Sequence, residues 1–103
     1  MTRDRLPDRR AHEVIEFEHA GLRYVAGIGR FANGTLAEIF LSSAKAGTAA
    51  DTAARDSAIV ASIALQHGVD VSIIQRALTK NIAGEPSGPL GCALELIGNR
   101  DEH

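Results

Sequence analysis

The chain holds a single cysteine, Cys92, and no tryptophan. One thiol excludes an internal disulfide, a four-cysteine metal centre and a dithiol redox pair within the chain. The histidines His12, His19, His67 and His103 show neither HxH nor HExxH spacing. His12 and His19 stand at opposite ends of one expected strand, too far apart at roughly 3.3 Å per residue to share an ion. No metal site is expected. Neither sign of charge dominates, since 11 Lys and Arg face 13 Asp and Glu. Bulk electrostatics therefore give no strong nucleic-acid signal. No apolar run approaches the ~18 residues of a membrane span, and "TRDRLPDRR" after Met1 lacks the apolar core of a signal peptide. No membrane partner and a cytoplasmic setting are expected.

What remains is enough for one small domain, because 103 residues can bury a single core and not two. Residues 1–10 carry Arg3, Arg5, Arg9 and Arg10 around Pro7 and are expected to form a flexible basic arm. Three strand-like runs follow: "HEVIEFEH" (12–19), "LRYVAGIGRF" (22–31) and "TLAEIFLSS" (35–43). In the first, Ile15 and Phe17 alternate with Glu16 and Glu18, the period of a half-buried strand. Ala20-Gly21 makes one break. Asn33-Gly34 makes the other and is the stronger hairpin signal, since both residues tolerate positive φ. Tyr24, Ala26 and Ile28 should line one face of the middle strand, and Ala37, Ile39 and Leu41 one face of the third.

From residue 48 the period changes. "TAADTAARDSAIVASIALQHG" has high helix propensity, and Ala54, Ala58 and Ala61 allow close approach of another backbone. "AIVASIAL" (58–65) is apolar almost all round, which predicts a helix buried on more than one side. Gly68 suits the position after the helix, and Asp70 suits the N-cap of "VSIIQRALTK" (71–80). Ile73, Ile74, Ala77 and Leu78 should form its apolar stripe. "PLGCALELIG" (89–98) opens with Pro89 and reads as a closing helix, leaving 99–103 as a frayed tail. The expected fold is α+β: a three-stranded antiparallel meander followed by two to three helices packed on one face, in a domain spanning 11–98.

Candidate chemistry is sparse. Between the third strand and the long helix, Lys45, Gly47, Thr48 and Asp51 form the best ligand or anion candidate, since the first amides of a helix attract anions. The lysine precedes the glycine, so this is no Walker loop. Thr48 or Asp51 can cap the helix, and if Asp51 does so its own carboxylate occupies the anion position. "GIGRFANG" (27–34) lies between two strands and is a hairpin, not a dinucleotide fingerprint. Glu38, Arg55 and Asp56 interrupt apolar stretches and are expected to be buried polar residues. Glu38 would pair with Arg23 or Arg30, or with Arg55 and Asp56.

Three stretches, "RLPDRR", "GTLAEIFLSSAKAGTAADTAARDSAIVASIALQHGVDVSIIQRAL" and "SGPLGCALELI", resemble the TSCPD domain family from Arg5 to about Ile97. That domain is best known from the C-terminal part of adenosylcobalamin-dependent (class II) ribonucleotide reductases, and small stand-alone versions occur in bacteria. The resemblance implies a place in deoxyribonucleotide synthesis and a reductase-related protein partner, with adenosylcobalamin entering only by family association. Ribonucleotide reduction needs a thiyl-forming cysteine and a reducing pair, so no catalytic residue carries over to a chain with Cys92 alone. The "SCPD" signature is absent as well. Cys92 reads as a packing residue.

The reading that follows is a non-catalytic accessory or regulatory module with no cofactor of its own, acting by protein docking or by binding a nucleotide or phosphate. A reductase subunit active only with another chain, and a structural homo-oligomer, are the alternatives. A homodimer is expected, through a sheet edge or through the sheet's helix-free face.

Overall fold

The computed structural model describes residues 12–101. The expected arm, residues 1–10, lies outside the described residues, as do residues 102 and 103 of the expected tail. Strands β1 (His12–His19), β2 (Leu22–Arg30) and β3 (Leu36–Ser43) form an antiparallel sheet in the order β1-β2-β3. Helices α1 (Ala49–Gln66), α2 (Val71–Ala77) and α3 (Pro89–Asp101) follow. The fold is α+β, with the meander preceding the helices as the sequence periodicities predict.

The two turns exchange their expected chemistry. Ala20-Gly21 is the two-residue turn with both residues at positive φ, 51° and 79°. At Asn33-Gly34 only the glycine takes positive φ. The loop is longer there: Phe31 N–H donates to the Thr35 carbonyl and Gly34 N–H to the Phe31 carbonyl. Asn33 contributes through its side chain, whose Oδ1 accepts from the Thr35 amide (3.0 Å) and hydroxyl (2.7 Å). A turn closed by an Asx side chain and one left-handed glycine needs no second positive φ.

Tyr24, Ala26, Ile28, Ala37, Ile39 and Leu41 are buried together with Ala54, Ala58 and Ala61 of α1 and Leu90, Leu94 and Ile97 of α3. The three alanines keep α1 close against β3. There the helix does more than cover a face. The Ala44 amide donates to the Arg23 carbonyl, so in this register Ser42, Phe40 and Glu38 point their backbone groups at β2. Ser43, Ile39 and Ala37 point theirs outward, as an edge strand would.

Side chains of α1 take up four of those outward groups. Ser62 Oγ accepts from the Ile39 amide and donates to the Ile39 carbonyl, both at 2.9 Å. Gln66 Nε2 donates to the Ala37 carbonyl at 3.1 Å, and Asp51 Oδ1 accepts from the Ser43 amide at 2.8 Å. All three side chains are buried. Eleven residues make three helical turns and four make about one, so Asp51, Ser62 and Gln66 share a face. Between Ser62 and Gln66 the helix rises ~6 Å, close to the ~6.6 Å between Ile39 and Ala37. Helix α1 thus stands in for a fourth strand.

Where the helices end, polar contacts replace sequence expectations. Helix α2 stops at Ala77, before the expected 80, because Leu78 is extended and the Lys80 ammonium donates to the Gln75 and Leu78 carbonyls. Ile73 and Ala77 are exposed, while Ile74 and Leu78 pack inward. Helix α3 runs three residues into the segment read as tail. It is held there by Arg30, which forms ion pairs with Asp101 at 2.9 Å and Glu13 at 2.6 Å.

Ser62→Ala removes both bonds to Ile39 and leaves a buried amide and carbonyl unsatisfied. The expected loss is about 1–3 kcal/mol in urea unfolding. Ser57→Ala, whose hydroxyl only donates to the Ala54 carbonyl of its own helix, is expected to change stability by less than ~0.5 kcal/mol. Equal effects of the two would show that the β3 edge does not depend on α1.

Candidate functional site

The loop between β3 and α1 is closed by its own side chains. Thr48 is the N-cap: its hydroxyl accepts from the Asp51 amide at 3.2 Å and donates to the Lys45 carbonyl at 2.8 Å. Asp51 Oδ2 accepts from the Gly47 amide at 3.2 Å and from Arg55 Nε at 2.9 Å. Gly47 takes positive φ, 80°, which turns its amide toward the carboxylate. The Ser43 amide, then the Arg55 guanidinium and the Gly47 amide, hold the Asp51 carboxyl below its ordinary range. The structure therefore brings Gly47, Thr48 and Asp51 together, but around this chain's own anion. Lys45 is exposed, and its amide donates to Ser43 Oγ.

The three residues expected to be buried polar groups part company. Glu38 is buried, at 5% exposure, on the sheet face opposite the helices. Its side chain lies across Gly29, where an added Cβ would stand 2.7 Å from Oε1, so the missing side chain at 29 makes its place. Arg30 is not its partner, since that guanidinium turns to the helix face and is taken by Glu13, Asp101 and the Gly34 carbonyl. Arg23 stands six residues along β2 from Gly29, roughly 20 Å away. Arg55 and Asp56 are a correction: both are exposed. They sit on the outer side of α1, where Arg55 reaches back one turn to Asp51. Glu38, Arg55 and Asp56 do not converge.

Other chemistry-bearing groups are likewise engaged. The Cys92 thiol is half-buried, and burial, then the Glu95 charge, raises its pKa above the ordinary thiol value. It is protonated at neutral pH. Every nitrogen of Arg30 is used, so the cavity of ≈ 240 Å³ beside it, between the 31–35 loop, α2 and α3, presents no free cation. His19 Nε2 lies 3.0 Å from the Ser87 carbonyl. No cluster of three metal-ligating side chains occurs among the described residues, and no helix there is long and apolar enough to cross a membrane.

Among the described residues an extended concave surface is apolar, and it is the feature sequence reasoning missed. Two adjoining hollows of ≈ 370 and ≈ 380 Å³ share Ser57, Leu78 and Leu90. Together they make a trough along α1 from Ala50 to Ala64, walled by Leu78 and by Leu90 at the start of α3. Val60 lines it and is 66% exposed, and on the same outer side of α1 Ile59 is 54% exposed and Ile63 43%. The expectation that α1 is buried on more than one side is corrected. A three-stranded sheet and two short helices cover only the face that carries Ala54, Ala58, Ala61 and Leu65. The signal was present in "AIVASIAL", but periodicity could not say which apolar residues the domain lacks the surface to cover. Compared with known proteins, the chain matches no family model, no curated protein and no solved structure.

Because the native state keeps Asp51 ionised below its ordinary range, its stabilisation is present above about pH 4 and is lost as the pH falls through the native pKa. Asp51→Asn is expected to lower the thermal midpoint at pH 7. The gap to the unsubstituted protein should then narrow steadily below about pH 4. A gap independent of pH would mean that packing, and not the carboxylate's charge, closes the loop.

Proposed function

We propose that this chain is a non-catalytic accessory module of ribonucleotide reduction, the role its resemblance to the TSCPD family implies. It works by docking one amphipathic helix of the reductase polypeptide in the trough between α1 and α2–α3. The observation that carries this reading is the trough itself. From Ala50 to Ala64 it follows roughly 21 Å of helix, the length of a four-turn partner helix. Its floor of alanines, Ser57 and glycines lets a backbone come close, while Val60, Ile74, Leu78 and Leu90 supply apolar anchors. Few charges stand in it, as in the desolvated centre of an interface.

Phosphate binding is the weaker of the two modes the sequence suggests. An incoming phosphate at Lys45, Gly47 and Thr48 would have to displace the Asp51 carboxylate from the Ser43 and Gly47 amides. It would also meet that carboxylate's negative charge. The single thiol, Cys92, is protonated and half-buried, which favours an accessory role over a catalytic one.

The test is calorimetric titration of the protein into the catalytic chain of an adenosylcobalamin-dependent ribonucleotide reductase, with a thermal-shift series against nucleotides and inorganic phosphate. Val60→Glu places a charge in the trough at a position exposed enough to leave the fold intact. It is expected to weaken binding to the reductase by at least ~10-fold. Nucleotides and phosphate are expected to shift the midpoint by nothing measurable. A nucleotide-induced shift that Lys45→Ala abolishes would move the function to the β3–α1 loop, and reductase binding unchanged by Val60→Glu would remove the trough from it.

A further inference from the structure

We propose that the outer face of α1 is the interface of a two-fold dimer, in which α1 packs antiparallel against α1 of a second copy. Thr52, Asp56, Ile59 and Ile63 recur at spacings of four, three and four, which sets them in one stripe along the helix. All four are exposed. The stripe faces away from the row at Ala54, Ala58, Ala61 and Leu65 that packs into the core. It is also distinct from the trough. Ser57, Ala61 and Ala64 line the trough, Ile59 and Ile63 do not, and Val60 stands on the boundary between the two surfaces. A helix in the trough and a helix on this stripe approach α1 from directions roughly 130° apart, so the inference does not rest on what occupies the trough.

Charge and spacing select a second copy as the occupant. Asp56 stands at one end of the exposed apolar stretch, and His67, the half-buried C-cap residue, stands at the other. At about 100° per residue both lie on the flank of the stripe that leads to Val60. The midpoint between Ile59 and Ile63 and the midpoint between Asp56 and His67 nearly coincide, next to Ala61. A two-fold axis there sets Ile59 against Ile63 of the second copy and Asp56 against His67 of the second copy, and it repeats both contacts. An imidazole N–H beside a carboxylate donates to it. On the other flank Arg55 falls beside the last carbonyls of the second copy's α1, where a cation is favoured.

Other registers lose these matches. Sliding the second copy by one turn sets Asp56 against Ile63 in one direction, which desolvates a carboxylate without a partner. In the other direction Asp56 meets Asp70, a like charge, and Ile59 meets His67. A parallel pair sets each Asp56 beside its own copy. Complementarity to itself under a two-fold is the property of an isologous contact, and it closes at two copies. The match uses only this chain's residues at this chain's spacing, so the occupant it specifies is the chain itself.

Sedimentation equilibrium of the full chain, over a concentration series up to ~1 mM, tests this. One helix pair is a contact at the small end of specific interfaces. The expected behaviour is therefore a monomer–dimer equilibrium that approaches twice the chain mass of 10.9 kDa. Ile63→Glu is expected to weaken the dimer at least ~10-fold, with unchanged circular dichroism because the side chain it replaces is exposed. Asp56→Lys and His67→Glu should each weaken it severalfold. The two in one chain should restore it, which keeps the proposal testable if Ile63→Glu fails to fold. A parent protein still monomeric at ~1 mM overturns the proposal, as does a dimer unmoved by Ile63→Glu or a double variant no stronger than the single ones. So does a dimer lost in Val60→Glu but kept in Ile63→Glu, which would place self-association in the trough.

Discussion

The buried polar face of α1 against the outer edge of β3 is the contact on which the architecture depends. Ser62 alone satisfies both backbone groups of Ile39, a residue with no exposed surface. Buried unpaired amides and carbonyls are costly, and three side chains at helical spacing remove that cost where a fourth strand would otherwise be required. The bonds also fix the height of α1 along the strand. Alanine at 54, 58 and 61 can then pack at close range because nothing has to slide.

Much of the surface follows from that placement. A helix turned so that Asp51, Ser62 and Gln66 face the strand must turn Ile59, Val60 and Ile63 away from it. The trough above α1 and the sealed β3 edge are thus two sides of one orientation. The domain thus offers an apolar concavity on its helical side.

Charge serves chiefly to close local structure. Asp51 fastens the β3–α1 loop to the strand it leaves and draws Arg55 back along the helix. Arg30 binds Glu13 of β1 and Asp101 of α3, with Arg100 at 3.7 Å from the same glutamate, so the last turn of α3 is tied to the sheet. Of these groups, the sequence reading singles out Asp51 and Arg55 as candidates. In the fold the two are engaged with each other and, through Asp51, with the strand they follow, while Lys45 and Asp56 stand in solvent.

What the sequence by itself determined is what local physics can carry. Alternation placed the strands, propensity placed α1, Gly68, Asp70 and Pro89 marked helix ends, and the inward rows at Tyr24, Ala26, Ile28 and at Ala37, Ile39, Leu41 were legible because a strand's side chains alternate with period two. Only the tertiary structure decided where the polar residues went. Asp51, Ser62 and Gln66 matter through strand backbone that lies between 8 and 29 residues away in sequence, and no periodicity encodes that distance. The same holds for Glu38 over Gly29, for Arg55 and Asp56 in solvent, and for α3 reaching Asp101. An apolar residue announces that it seeks burial, but whether it finds it depends on how much surface the rest of the chain can bring to it. For Ile59, Val60 and Ile63, this domain brings too little.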